Sequence, residues 1–315
     1  MIHTACIFPG QGSQELGMGK AFADNFATAR DVFAEVDEAL KQNLSRIIFG
    51  EDAEALTLTE NAQPAIMATS LAIFRTLVKE TGFSLSARTK YVAGHSLGEY
   101  SALCAAGALS LADTARLLRL RGQAMQQAAP KGYGTMAAIL GLEIDAVEAL
   151  LAALPACSVC EIANDNAPGQ VVISGERNAI ETAIAKAKDA GAKRAIELNV
   201  SAPFHSSIIR TAADAMRDAL ATTSITPPSV PLVANVTASA ITHPEDIRRL
   251  LVEQVTGRVR WRESVLWMVE RGVGETLEIG HGKVLSGLGK RIHKDLECTA
   301  INVPEDMEML VKKVA

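Results

Sequence analysis

Tyr91-Val92-Ala93-Gly94-His95-Ser96-Leu97-Gly98 is a short apolar run entering a Gly-x-Ser-x-Gly pentapeptide. The small residues Ala102, Cys104, Ala105, Ala106, Gly107 and Ala108 follow it. This order predicts a strand, a sharp turn and a helix that lies close to a sheet. The two glycines permit the bend and the close packing. The helix N-terminus behind Ser96 offers backbone N–H groups and a favourable dipole to an oxyanion. Ser96 is therefore the candidate nucleophile. An ordinary strand–helix turn is the competing reading, and the context on both sides of the pentapeptide favours the nucleophile.

Outward from this unit, a strand is expected at 4–8, ending in the turn-rich loop Pro9-Gly10-Gln11-Gly12-Ser13. Amphipathic helical patterns cover 20–43 and 62–80. A further helix covers 111–128, before Pro130, Gly132 and Gly134 break the pattern. The rhythm then changes: strand 135–140, helix 144–154, strand 158–163, strand 170–174, helix 177–190, strand 194–200. That β-α-β-β-α-β order is the ferredoxin-like split unit. Beyond it, helices are expected at 206–222, 244–254 and 261–271, and strands at 230–235 and 275–279. The expected architecture is α/β. A hydrolase-like parallel-sheet core domain, 1–130 and 201–315, is interrupted by a small ferredoxin-like domain, 131–200.

The 315 residues carry a net charge of −5 with 4% aromatic residues, which argues against a nucleic-acid binder. No apolar stretch reaches the length of a membrane helix. No basic residue precedes the first apolar run, so no signal peptide and a cytoplasmic location are expected. Five cysteines in a chain this long make no disulfide scaffold. Cys157 and Cys160 form a Cys-x-x-Cys pair with no second Cys or His pair nearby, so buried reduced thiols are expected rather than zinc.

A serine nucleophile needs a base. Of His3, His95, His205, His243, His281 and His293, His95 adjoins Ser96 but would point away, into a packing or hydrogen-bonding role. His243 precedes Pro244 at a helix start, where it can cap. His205 lies in a strand-to-helix bend and His281 in Gly280-His281-Gly282, after a strand. Spacing leaves these last two level. Hydrolase triads, which end in a late histidine, would favour His281. Arg121, beside Arg116 and Arg119 in the 111–128 helix, reads on its own as a solvated surface charge.

Six segments together carry a family resemblance. They are Phe8-Pro9-Gly10-Gln11-Gly12-Ser13-Gln14, Gly94-His95-Ser96-Leu97-Gly98-Glu99-Tyr100, Arg121-Gly122-Gln123-Ala124-Met125, the run from Asn166 to Gly175, Val200-Ser201-Ala202-Pro203-Phe204-His205-Ser206, and the run from Gln254 to Trp261. In this order the chain resembles the bacterial malonyl-CoA:acyl carrier protein transacylases over nearly its whole length. One departure is Gly280-His281-Gly282, where the family usually has Gly-Pro-Gly.

The resemblance implies that Ser96 is acylated and that His205 is its base, oriented by a backbone carbonyl at Gln254 rather than by an acid. It implies an oxyanion hole of the Gln11 and Leu97 N–H groups. It also implies Arg121 as the partner of the malonyl carboxylate and Phe204 as a wall against α-branched acyl groups, with Asn164 facing the same pocket. The implied reaction is ping-pong transfer from malonyl-CoA, a substrate, to acyl carrier protein in fatty acid synthesis, by a monomer without metal or other cofactor. An acidic carrier protein would dock on Arg258, Arg260 and Arg262, or on Lys283, Lys290, Arg291 and Lys294. The rivals are a serine hydrolase such as a thioesterase, a polyketide acyltransferase and a scaffold with a fossil site.

Overall fold

The computed structural model describes residues 3–155 and 158–314, with side chains to 309. Among the described residues ten strands form two sheets: β1 (His3–Phe8), β2 (Thr89–Gly94), β3 (Gly134–Leu140), β4 (Cys160–Ala167), β5 (Gln170–Glu176), β6 (Arg194–Glu197), β7 (Leu232–Ala234), β8 (Ser239–Ile241), β9 (Val273–Ile279) and β10 (Glu297–Ile301). The first sheet has the order β10-β9-β1-β2-β7-β8. Its pairs are parallel except β7–β8. β1 is a continuous apolar run, Ala5 to Phe8, buried on both faces as a central parallel strand must be. The second sheet is antiparallel with the order β4-β5-β3-β6, the strand order of a βαββαβ unit. Its helices Ile144–Ala152 and Arg177–Ala187 bury Val147, Leu150, Ile180 and Ala183 against Ile139 and Ile173.

Close backbone approaches set the geometry at the sheet's carboxyl edge. β1 and β2 end in register, Phe8 beside Gly94. A Cβ on Gly94 would lie 1.9 Å from the Gly98 carbonyl carbon, and one on Gly98 would lie 2.3 Å from the Phe8 oxygen. Only glycine lets the helix Gly98–Ala105 start this near the strands.

Several elements differ from expectation. The 20–43 pattern is two helices, Lys20–Asn25 and Ala27–Leu40, parted at Phe26, which is extended and packs on Phe22. The helix expected at 62–80 runs Thr59–Thr81 and is buried around nearly its whole circumference. It packs between the helices Ala27–Leu40 and Leu111–Gln127, so it has no solvent face to show as a polar stripe. The region 206–222 opens with a 3₁₀ turn, Ser207–Ile209, before the helix Arg210–Thr222. The strand at 194–200 stops at Glu197. Strands β8 and β10 and the helices Val284–Ile292 and Pro304–Val314 were not anticipated. Gly287 and Gly289 lower the helix propensity of the first of these helices. Gly289 is there because a Cβ would meet Cys298 Sγ at 2.7 Å. Cys160 is a free, half-buried thiol on β4, while Cys157 lies outside the described residues.

Candidate active site

Ser96 sits at the elbow with φ 53°, a left-handed conformation rare for a residue with a side chain. Asn235, one residue past β7, holds it there. Its Oδ1 accepts the Ser96 N–H at 2.8 Å, and its Nδ2 donates to the Gly94 carbonyl at 2.7 Å. Pairing of Val92 and Ala93 with Leu232 and Val233 brings Asn235 to this point.

His205 reaches Ser96 from the bend after the second sheet. It too has a positive φ, 57°, in a turn closed by the Ser206 hydroxyl on the Pro203 carbonyl. Its Nε2 is 2.8 Å from Ser96 Oγ. Its Nδ1 lies 2.9 Å from the Gln254 carbonyl and 3.1 Å from that of Gly257. Two carbonyls accept only, so the neutral ring carries its proton on Nδ1 and offers a lone pair at Nε2 to the serine hydroxyl. Burial, reinforced by the Arg121 guanidinium, pulls His205 down to about 3, so the ring is neutral at pH 7.

Arg121 is not a surface charge: it is 2% exposed. Its Nη1 donates to Gln63 Oε1 at 2.7 Å, and its Nη2 donates to Ser96 Oγ at 3.1 Å and Gln254 Oε1 at 2.9 Å. Burial lowers its affinity for its proton, opposed by Tyr100 and Glu99. Arg116 pairs with Asp113, and Arg119 donates to Asn61, so only the third arginine of the helix enters the site. The approach depends on Gly122, where a Cβ would lie 2.6 Å from the Glu60 Cα.

Gln254 does more than present a carbonyl. Its Nε2 donates to the Ser96 carbonyl and to Glu99 Oε2, both at 2.9 Å. Glu99 is 1% exposed, and burial raises it to about 7. Glu99, Asn235, Gln63 and the Gln254 side chain are site residues that sequence reasoning missed. Glu99 and Gln254 lay inside quoted motifs, while Asn235 and Gln63 gave no local signal.

The remaining expected residues are less tightly joined. Leu97 is the N-cap of the Gly98–Ala105 helix, where a backbone N–H has no intrahelical partner. Gln11 lies exposed in its loop, its side chain accepting from the Thr59 hydroxyl at 3.1 Å. Phe204 is buried in the main core beside His205. Asn164 is buried on β4, bridged to Val259. The side chain this strand sends to the elbow is that of Asn166, 2.8 Å from His95 Nε2. His95 thus hydrogen-bonds away from the site and packs 5.7 Å from Trp261. His281 pairs with Glu15 at 2.9 Å rather than with Ser96. His243 occupies a helix N-cap, yet its side chain makes no capping bond. A cavity of about 480 Å³ opens beside His205, lined by Glu148, Glu161, Ser207, Arg210 and Arg258 among others.

The first basic cluster is neutralised: Arg258 pairs with Glu148, Arg260 with Glu263 and Arg262 with the buried Asp165. In the second, Lys283, Lys290, Arg291 and Lys294 are exposed, as is Val284 of the same helix region at 54%. Arg291 is committed there, donating to Gln170 and to the Pro168 carbonyl.

Residues 5–304 match the family model of the acyl transferase domain. The malonyl CoA-acyl carrier protein transacylase of Bacillus subtilis is 44% identical over 99% of this chain and 97% of its own length. That of Escherichia coli K12 is 41% identical over 98% of each. The crystal structure of acyl-carrier-protein-S-malonyltransferase from Bartonella henselae superposes with a TM-score of 0.97 at 52% identity over 99% of both chains. A malonyl-transacylase solved in complex with a type II PKS acyl-carrier protein gives 0.95 at 39% identity, over 99% of each chain.

Proposed function

The chain belongs to the acyl transferase domain family, and on that footing we propose that it moves malonyl from CoA to the phosphopantetheine thiol of an acyl carrier protein. The observation that carries the choice of acyl group is Arg121 Nη2, buried and 3.1 Å from Ser96 Oγ. A free carboxylate must shed water to enter such a site and requires a fixed cationic partner. A guanidinium supplies two parallel donors in one plane. Acetyl and fatty acyl groups have no use for it.

Ser96 Oγ attacks the thioester carbonyl while His205 Nε2 takes its proton. The C–S bond breaks, and the proton passes to the departing CoA thiolate. The carrier thiol then gives its proton to His205 and attacks the malonyl-serine ester, returning Ser96 as the free hydroxyl. The Leu97 and Gln11 N–H groups serve the oxyanion in both steps. Atoms and protons balance without a metal or redox cofactor. The cavity beside His205 suits the pantetheine arm common to both thioesters.

Among the described residues no helix is long and apolar enough to cross a membrane. We place the enzyme in the cytoplasm as a monomer feeding malonyl-carrier protein to fatty acid synthesis.

Incubation with labelled malonyl-CoA tests the reading. A malonyl adduct on Ser96 that is discharged by carrier protein is expected, and Ser96→Ala should form none. Rapid free malonate in place of the adduct would identify a thioesterase. An adduct retained in Ser96→Ala would remove Ser96 as nucleophile.

A further inference from the structure

The side chain of Gln254 has two chemically different ends, and the site uses both. Its carbonyl oxygen accepts from Arg121 Nη2 at 2.9 Å. Its NH₂ faces three acceptors: the Ser96 carbonyl and Glu99 Oε2 at 2.9 Å, and Asn235 Oδ1 at 3.3 Å. Reversing the amide would set an oxygen against acceptors and an NH₂ against a guanidinium, which donates only. The same Glu99 Oε2 also accepts the Asn235 N–H at 2.9 Å. One carboxylate oxygen thus gathers the residue that holds the Ser96 backbone and the residue that receives Arg121.

We infer that Glu99 is a positioning residue for acyl selectivity: by accepting from Gln254 it fixes which end of that amide meets Arg121, and so aims the guanidinium at Ser96. The inference rests on the reading that Arg121 receives the acyl carboxylate. Glu99 is 1% exposed, and its Oε2 is taken up by Gln254 Nε2 and the Asn235 N–H, so it acts through Gln254 rather than on the acyl group. The acyl class it selects is the thioester of a dicarboxylic acid. A neutral acyl group reaches Ser96 without needing Arg121 at a defined angle.

The test is the ratio of malonyl to acetyl loading rates on Ser96 in the full chain. Glu99→Ala should lower it about tenfold, the scale of one hydrogen bond to a charged group. Glu99→Gln should hold it within about twofold of wild type, because its amide oxygen accepts the same two N–H groups. Gln254→Leu keeps the backbone carbonyl under His205 and should lose the ratio as Glu99→Ala does. Combining the two should lower it no further, as for residues acting through one route. Where Glu99→Ala does not fold, Glu99→Met fills the space without a strong acceptor and takes its place.

Arg121→Ala is the reference. If it lowers the ratio and Glu99→Ala does not, the inference fails alone. Losses that add in the double variant, or a Glu99→Gln as poor as Glu99→Ala, also overturn it. An unchanged ratio in Arg121→Ala overturns the carboxylate reading beneath it.

Discussion

His205 shows how a single side chain ties function to stability. It is buried neutral, with its pKa drawn from 6.5 to about 3. The unfolded chain takes up a proton at this residue below pH 6.5, and the folded one does not until near pH 3. The stability this residue contributes is therefore complete above pH 6.5 and is lost as pH falls through that window. Denaturant midpoints of wild type and His205→Gln, measured from pH 7 downward, should show wild type losing more stability as acid is added. Parallel curves would mean the ring is protonated inside the fold.

Legibility differed from residue to residue within this site. Ser96 announces itself because its turn needs glycines two residues to either side, a pattern confined to five positions. Arg121 gave no such signal. Its partners Gln63 and Gln254 are 58 and 133 residues away, and its helix carries two other arginines that face elsewhere. Asn235, 139 residues from the Ser96 it steadies, is hidden for the same reason.

At the scale of elements, the distance between two helices decides whether Arg121 reaches Ser96. Gly122 lies against the backbone of Thr59 and Glu60, at the start of the helix that carries Gln63. In Gly122→Ala the added methyl would meet Glu60 Cα at 2.6 Å and Thr59 O at 2.7 Å, neither of which can rotate away. Overpacking of this kind costs about 1–3 kcal/mol, read as a lower denaturant midpoint. Because the helices must part, the malonyl-to-acetyl loading ratio should fall as well. A destabilised protein with an unaltered ratio would show that the helix tolerates the shift without moving its arginine.

Helix existence was legible wherever apolar spacing met a break, as at 111–128, where Pro130 follows. It failed for Val284–Ile292, whose Gly289 serves a close approach to β10, and at Thr59–Thr81 it found the helix but not that neighbouring helices cover nearly its whole circumference. In both cases the packing partners lie far off in the sequence and leave no local mark.

Over the whole molecule, the second sheet is bound by backbone and by charge to the segment around Val259 and Arg262, where the helix Trp261–Glu270 begins. Asp165 N–H donates to the Val259 carbonyl, Val259 N–H to the Ala163 carbonyl, and Arg262 pairs with the buried Asp165 carboxylate. The βαββαβ order was readable because each of its elements is short and ends in its own turn. Its attachment was not, because it joins positions about a hundred residues apart. Arg258, Arg260 and Arg262 are occupied on or near this seam, so of the two basic clusters the exposed Lys283, Lys290 and Lys294 are the candidates to test for carrier-protein docking. Reversing Lys290 and Lys294 to Glu should slow discharge of the malonyl-enzyme to carrier protein and weaken its salt dependence, while loading from malonyl-CoA changes little. Equal harm to both half-reactions would place those lysines at the CoA donor instead.

The imidazole of His205 leans on two main-chain carbonyls, of Gln254 and Gly257, and among the described residues on no carboxylate. A main-chain oxygen belongs to every amino acid alike. On the proposed mechanism, a saturation scan of the chain would therefore find Ser96 and His205 as intolerant positions, yet could never knock out the group that orients His205. Substitutions at 254 would register through the lost amide, and those at 257 through crowding of the Glu253 carbonyl, 2.8 Å from a new Cβ. Replacing the peptide unit with an ester would not remove the carbonyl either, only weaken it as an acceptor. The third member of this constellation is written in the course of the backbone, beyond the reach of any codon.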